Sequence, residues 1–580
     1  MTTIYLDFET YYSQAYSLKK MSTEAYIRDP QFKAHGCVIT VDDEEPLWIG
    51  HARLADSLRQ YAEDYPDAEW AAHNAQFDMA ILAWHYGIHP AVIRDTLSMA
   101  RIAQYHGKHS LAALAQQYGL GAKGDALIKT LGVQDLDPLL EQQLAAYCVQ
   151  DVELLRRLYK RLSGDLQRAL GSVRYGREMA LIDLTVRMFT EPVLEVNADL
   201  LRSRLSELQS ERDAALKSAG VHEDVLMSNP QFASLLAAQG VEVPPTMRKT
   251  DSDFLELLED PRVAHLVRGR LAAKSVSELR RAEKFIQVAG RGTMPVPLKY
   301  HGAHTGRWSG ADGLNLQNLN RGSALRRCLQ APAGYVLVVV DSAQIEARVL
   351  AWLAGETELL RQFAKGEDVY VRFAERIWPE MDIDATRRFV GKACVLSLGY
   401  GVGHAKLHAQ IVAKQPEATL DDAAGYVSVY RSTYTAIRQL WREADRMLRL
   451  MMYDQREEVL GLVVEHYKIQ LPSGRWLHYP NLHVTSEGFE YGVKERLYGA
   501  KLVENIVQAI ARDIVADQML VIAKRYRVVT MTHDEVVFVA PEDNAEEAFA
   551  FAQKVMRAAP RYAPTLPLSS SGGWAKEYSK

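Results

Sequence analysis

Residues 166–295 carry no long strand-forming run, whereas short apolar runs that read as strands recur on both sides of them. The chain therefore divides into three regimes, an α/β segment, a helical segment and a segment in which strands return. At 580 residues the chain also exceeds what a single hydrophobic core organises. Residues 1–165 mix short strands (IYLDFE, CVITVD, EWAAHN) with helices, ending on LEQQLAAYCVQDVELLRRLYKRL. Residues 166–295 are rich in Leu, Ala, Arg and Glu and include LLRSRLSELQSERDAALKSAG and VRGRLAAKSVSELRRAEKFIQ. From 296 onward strands return in YVLVVVD, VVEHYKIQLP and the ribbon VVTMTHDEVVFV, with a helical block over 357–455. PVP at 295–297 is the clearest punctuation. The expected class is α/β and multidomain.

Composition narrows the function classes. The chain is 48% hydrophobic and 24% charged, ordinary for a globular protein, and no apolar run approaches a membrane span. MTTIYLDFET enters a strand directly, without a basic and then apolar leader. The four cysteines, Cys37, Cys148, Cys328 and Cys394, lack CxxC spacing, so neither a zinc site nor a disulfide framework is expected and a reducing cytoplasm fits. A net charge of −5 argues against a uniformly basic coat but leaves room for a basic groove beside acidic sites.

Carboxylates then stand out. In IYLDFET, Asp7 and Glu9 are two apart on a strand and leave the same face. In NAQFD, Asn74 is placed to cap a helix with Asp78 in its first turn. In YCVQD, Tyr147 and Asp151 are four apart on one helix face. Each fragment alone reads as ordinary surface charge. Together, four carboxylates within apolar sequence point to hard divalent cations, Mg²⁺ or Mn²⁺, which prefer oxygen ligands. A pair of such ions suits phosphodiester cleavage.

A second set lies further on. YVLVVVDSAQIEARVLAWLAGE reads as a buried strand ending at Asp341, followed by a helix, and Asp534 lies at the tip of the 526–540 ribbon. If these strands neighbour each other, both carboxylates can share two ions about 3.5–4 Å apart, an arrangement suited to phosphoryl transfer. TRRFVGKACVLSLGYGVG spaces Arg388, Lys392, Leu396 and Tyr400 four apart along one side of a helix ended by Gly401 and Gly403. Arg and Lys suit a triphosphate, and Tyr400 offers a ring for base stacking. An amphipathic helix with an exposed basic stripe is the plainer reading.

The first set, in this order, resembles the DEDD-type 3′–5′ exonucleases, with Tyr147 indicating the DEDDy subgroup. The resemblance implies an RNase H-like domain in which Asp7, Glu9, Asp78 and Asp151 hold two metals and Tyr147 orients the attacking water. DSAQIEAR from Asp341, the Arg388–Lys392–Leu396–Tyr400 spacing, and His533-Asp534-Glu535 resemble motifs A, B and C of the family A (DNA polymerase I-like) DNA polymerases, in the family's order. HTGRWSGADGLNLQNL, LPSGRWLHYP and ENIVQAIARDIV resemble further segments of that family.

This resemblance implies a right-hand polymerase with palm, fingers and thumb. It divides the chain into exonuclease 1–165, thumb 166–295, palm 296–356, fingers 357–455 and palm again 456–580. Asp341 and Asp534 become metal ligands, with two Mg²⁺ per active site and Mn²⁺ as a substitute. Arg388 and Lys392 bind the incoming triphosphate, with Lys392 as general acid for pyrophosphate, and the backbone near Ile345 lines it. Tyr400 sits at the template–primer base pair, and Glu346 blocks a ribose 2′-OH. Arg307 and Gln317 face the minor groove, Gln508 contacts DNA, and His533 and Glu535 position the primer end. In the thumb, Arg268, Arg270, Lys274, Arg280, Arg281 and Lys284 are candidates to track phosphates.

Some positions depart from the family pattern. Leu396 replaces the usual Phe or Tyr, Ser342 and Ala343 replace Tyr-Ser, and Tyr370 stands where many members have His. Expected partners are primer–template DNA, dNTPs and replisome proteins such as helicase, primase and single-strand-binding protein, with a monomeric enzyme and no membrane. No 5′-nuclease segment precedes Asp7, so a replicative, proofreading bacteriophage-type enzyme acting in the host cytoplasm is the expectation. The alternative is a 3′–5′ exonuclease with a non-catalytic nucleic-acid-binding C-terminal half. A single-subunit RNA polymerase is opposed by Glu346 and by the proofreading half, and a scaffold would have no use for two carboxylate clusters.

Overall fold

Alternation in TIYLDFET buries Ile4, Leu6 and Phe8 on one side of a strand while Tyr5, Asp7 and Glu9 share the other. In the computed structural model, which describes residues 2–104, 106–122, 130–249 and 251–579, this is strand Thr3–Thr10. It is the middle strand of a five-stranded sheet. In spatial order the strands are Leu47–Gly50, Ala34–Val41, Thr3–Thr10, Glu69–Ala72 and Val92–Asp95. The first three pair antiparallel and the last three parallel. The three runs read as strands all lie in this sheet. Its Asp7 face meets helix Pro138–Thr190, where Tyr5 and Tyr159 rings pack edge-on at 5.7 Å.

That helix starts on an Asp137 cap with Pro138 at its first position and breaks at Gly171, whose φ of 72° and ψ of 158° are not helical. It runs through 165/166, where the sequence pattern alone suggested a boundary. The chain forms two compact units. The first holds residues up to Pro192, Pro295–Gln317 and Val338–Trp574; the second holds Val193–Met294, Asn318–Leu337 and Ala575–Lys580. In the second unit, helix Ala198–Ala219 packs on Ala264–Lys274 around Leu226, Phe232, Leu236, Phe254 and Val267. The run VRGRLAAKSVSELRRAEKFIQ, read as one helical stretch, is two helices, Ala264–Lys274 and Ser277–Arg291.

A second sheet orders its strands Arg527–Thr532, Glu535–Pro541, Tyr335–Ser342 and Ser570–Ala575. The strand Tyr335–Ser342 has a neighbour on each side, which accounts for its unbroken apolar run. VVEHYKIQLP, read as one strand, is instead a hairpin of Leu462–Glu465 and Lys468–Gln470, turned at Tyr467 with φ 57°.

The helical block carries Val369–Ile377 packed on Ala385–Ser397. Leu398–Tyr400 is a separate 3-10 turn ended by Gly401 at φ 75°, so the expected continuous helix stops one turn before Tyr400. Gly391 is the point of closest approach: a Cβ there would lie 2.2 Å from the Tyr370 carbonyl oxygen. Gly391→Ala is expected to cost about 1–3 kcal/mol in urea unfolding, because backbone cannot yield as a side chain can. Gly290→Ala, in helix Ser277–Arg291 with nothing within 4 Å, should instead be neutral or stabilising by up to about 1 kcal/mol.

Candidate active sites

The first site forms where strand Thr3–Thr10 meets helix Pro138–Thr190. Ligand atoms of Asp7, Glu9 and Cys148 all lie within 4.8 Å of one another. The Cys148 thiol donates to the Asp7 carbonyl at 3.4 Å and to its Oδ2 at 3.5 Å. Asp151, buried, follows Cys148 by three residues on the same helix and so shares its inward face, with half-buried Tyr147 beside it. The Phe8 N–H donates to Asp78 Oδ1 at 3.1 Å and brings that buried carboxylate to the same strand. Burial, and then the nearby Asp7, push the Asp78 carboxyl well above the usual carboxylate range.

Asn74 does not cap the helix Gln76–Ile81, contrary to expectation. It sits at φ 70°, and its N–H donates to Asp95 Oδ1 at 2.9 Å. Asp95, buried, also accepts from Ala75 N–H at 3.1 Å and caps helix Thr96–Ala103. It therefore holds the turn from which Asp78 projects. Sequence reasoning missed Asp95 and Cys148. Asp95 was findable, because an Asp between a strand and TLSMARIA is a capping signal; Cys148 carried no such cue.

The second site lies at the end of the second sheet. The Ser342 N–H donates to the Asp534 carbonyl at 2.9 Å, joining the end of the Asp341 strand to the hairpin tip. The hairpin turns on His533 and Asp534, with Thr532 paired to Glu535 and His533 at φ 54°. Glu535 is buried, whereas His533 is exposed. Arg307 pairs with Glu346, and its Nη2 lies 4.0 Å from Asp534 Oδ1. The Tyr400 hydroxyl donates to Glu346 Oε2 at 3.3 Å. Ile345, buried, opens helix Ile345–Ala354 after Gln344 at φ 52°. The Asp534 carboxyl is pushed up to about 7, first by burial; Arg307 opposes this, while Glu346 and Asp341 add to it.

The flanking residues fall as follows. Arg388 Nε donates to Asp368 Oδ2 at 2.7 Å, and its guanidinium lies 5.4 Å from the Tyr370 ring centre. Asp368 was not singled out in the sequence. Lys392 and Leu396 are exposed on the same helix. Gln317 is buried and donates to the Met531 carbonyl at 3.4 Å. Gln508 donates to Glu504 at 3.1 Å. In the second unit, Lys274 is exposed and donates to Asn229 Oδ1 at 3.2 Å. Arg270 corrects an expectation: it is buried against Phe232, donates to the Leu226 carbonyl at 2.7 Å, and so cannot track a phosphate chain.

Both sites crowd carboxylates of like charge into partly buried positions, and in each a carboxyl is pushed upward, first by burial and then by its acidic neighbours. Their carboxylate oxygens are hard donors that fit a divalent cation, while the Cys148 thiol at the first site donates its hydrogen to Asp7. Two separate sheets thus carry one acidic centre each, which defines a class of enzyme with two sites suited to metal-assisted chemistry at phosphates. Residues 193–580 match the model of DNA polymerase family A, and residues 9–167 match that of a 3′–5′ exonuclease. The chain belongs to DNA polymerase family A and carries a 3′–5′ exonuclease domain, both of which act with divalent metals.

It is 26% identical to a DNA polymerase of Bacillus phage SP02 across the whole of both chains. It is 25% identical to the thermostable DNA polymerase I of Thermus thermophilus over 83% of this chain and 54% of that protein. It is likewise 25% identical to DNA polymerase I of Pseudomonas aeruginosa over 87% of this chain and 55% of that protein, so the chain spans about half the length of these bacterial relatives. The POL domain of Pol1 from M. smegmatis, solved in complex with DNA primer-template and dNTP, shares the fold with a TM-score of 0.73. Its identity is 19%, over 100% of this chain and 96% of that one. Among the described residues no helix is long and apolar enough to cross a membrane.

The raised Asp534 carboxyl makes a pH prediction for the metal-free protein. Unfolded, the group titrates near 3.8; folded, near 7, so the folded state binds the extra proton between these values. Stability from this group is full below about pH 4 and is lost as pH rises through about 7. In chelator, Asp534→Asn should therefore gain on the wild type by on the order of 1–3 kcal/mol between about pH 5 and 8. Thermal melting of both proteins across that range checks this, and Mn²⁺ should restore the wild type selectively.

Proposed function

We propose that this chain is a template-directed DNA-dependent DNA polymerase with a proofreading exonuclease, replicative in a bacteriophage and acting in the host cytoplasm as a monomer. The observation that supports it most is the meeting of Asp341 and Asp534 at one strand end, faced by Arg307, Glu346 and Tyr400. Asp341 and Asp534 would hold two Mg²⁺, and Asp7, Glu9, Asp78 and Asp151 a second pair. When bound, such ions supply nucleophile activation and charge stabilisation at the reacting phosphate.

The protein's own groups do the rest. Arg388 forks onto the incoming triphosphate beside the Ile345 backbone, and Lys392 donates the proton that leaves with pyrophosphate. Glu346, held by Arg307 and Tyr400, closes the space a ribose 2′-OH would need, while Leu396 flanks the nucleotide. Tyr400 meets the template–primer pair, Arg307 and Gln317 face the minor groove, Gln508 contacts DNA, His533 and Glu535 position the primer end, and Lys274 tracks the duplex backbone. Residues 166–295 would serve as thumb, 357–455 as fingers, and 296–356 with 456–580 as palm, in contact with primer–template DNA and replisome proteins. In the exonuclease, Tyr147 orients the attacking water. Two separate centres let a mispaired end be removed where a single selection step is too weak.

One gel tests this: a labelled primer on a longer template with Mg²⁺, given dNTPs, rNTPs or no nucleotide. Extension with dNTPs and 3′ shortening without them are expected. Asp341→Asn should lose extension by roughly a thousandfold or more yet keep shortening, and Asp7→Asn should do the reverse. Glu346→Ala should admit rNTPs. Shortening without any extension would leave an exonuclease with a non-catalytic second half.

A further inference from the structure

Residues 303–307 form a closed turn that delivers Arg307 to the Asp341–Asp534 site. The Ala303 N–H donates to the Arg307 carbonyl at 3.1 Å, and the Gly306 N–H to the Ala303 carbonyl at 2.8 Å. Gly306 has φ 85°, and a Cβ there would lie 2.6 Å from Arg475 Nη1. The turn is thus pressed against a guanidinium. Arg475 Nη2 donates to the Thr305 carbonyl at 2.8 Å, and Arg512 Nε donates to the Gly306 carbonyl at 3.0 Å. Two carbonyls directly before Arg307 are therefore fixed from behind by two arginines.

Both arginines are buried, and buried charge needs compensation. Glu178 and Asp513 provide it. Arg512 Nη1 donates to Glu178 Oε1 and Asp513 Oδ1, each at 3.1 Å, and Arg475 Nε donates to Asp513 Oδ1 at 2.8 Å. Tyr300 donates its hydroxyl to Glu178 and accepts from Arg512 Nη2 at 2.7 Å. Arg174 bonds to Glu178 and reaches Asp513 at 3.3 Å. Burial alone would raise the Glu178 carboxyl, but Arg512 and Arg174 hold it well below the usual range, so it stays ionised. Such a cluster is not the cheapest way to fill a core, since well-packed apolar side chains often do as well. What apolar side chains cannot do is donate to the two turn carbonyls.

We propose that Glu178 is a positioning residue for the polymerase site: through Arg512 and the Gly306 carbonyl it fixes where Arg307 leaves the backbone, and with it the Arg307–Glu346 pair. This rests on the polymerase reading above. Glu178 touches no reacting group. It belongs to helix Pro138–Thr190, beyond the break at Gly171, whose earlier part carries Tyr147 and Asp151. A residue outside every polymerase motif thereby sets the geometry on which sugar selection depends.

The test uses the full chain with Glu178→Gln and Tyr300→Phe, each alone and combined with Arg307→Ala. Single-nucleotide incorporation of dNTP and rNTP is measured beside shortening of a single strand. For Glu178→Gln, kcat/KM for dNTP should fall roughly tenfold, as for loss of a charge-assisted hydrogen bond, and for Tyr300→Phe roughly threefold. The preference for dNTP over rNTP should fall in both, while shortening keeps its wild-type rate. With Arg307 already replaced by Ala, either change should add little, because both act through that side chain. Should Glu178→Gln fail to fold, shown by loss of shortening, the Tyr300→Phe cycle carries the test. Unchanged nucleotide preference, or losses that add in full to those of Arg307→Ala, would overturn the proposal. A wild-type chain that shortens but never extends would overturn the polymerase reading instead.

Discussion

The peptide N–H of Ser342 donates to the carbonyl of Asp534 at 2.9 Å, and this bond ties the end of one strand to the tip of a hairpin. It matters because the side chains on either side of it repel. Asp341, Asp534 and Glu346 are like charges in a partly buried place, and the Asp534 carboxyl is driven up to about 7 by burial, Glu346 and Asp341 despite Arg307. Left to themselves the carboxylates would separate. Backbone pairing in the sheet, whose stability comes from buried strands rather than from the site, prevents it. Arg307, its guanidinium 4.0 Å from Asp534, is the cation that opposes this repulsion, and its direction matters in proportion.

The exonuclease centre repeats the same device on another sheet. There the Phe8 N–H holds Asp78 against the strand that bears Asp7 and Glu9, and Asp95 ties down the turn before it. Each centre is thus assembled by main-chain donors, while its acidic side chains carry unfavourable interactions that a divalent cation would relieve. Paired strands hold these like charges together, and their mutual repulsion is what a bound cation would offset.

Much of this was legible from particular residues. YVLVVVD reads as an interior strand because its apolar run is unbroken, and IYLDFE because it alternates. Errors arose where a single backbone angle decides the outcome. Tyr467 at φ 57° folds VVEHYKIQLP into a hairpin, and Asn74 at φ 70° hands its N–H to Asp95 instead of capping a helix. A four-residue spacing carried Tyr400 onto a helix that ends at Ser397. Arg270 shows the same limit for charge: an arginine on a helix reads as solvated until a neighbouring ring and carbonyl enclose it.

The sequence by itself determined the two acidic clusters, their order along the chain and the strand and helix types that bear them, because these follow from residue chemistry and local periodicity. Only the tertiary structure decided which distant groups meet. Cys148 lies beside Asp7 across 141 positions, Arg307 beside Glu346 across 39, and Arg512 beside Glu178 across 334. Contacts between residues so far apart are set by how whole elements pack, and that packing is a property of all their buried surfaces together. No spacing rule along the chain contains it.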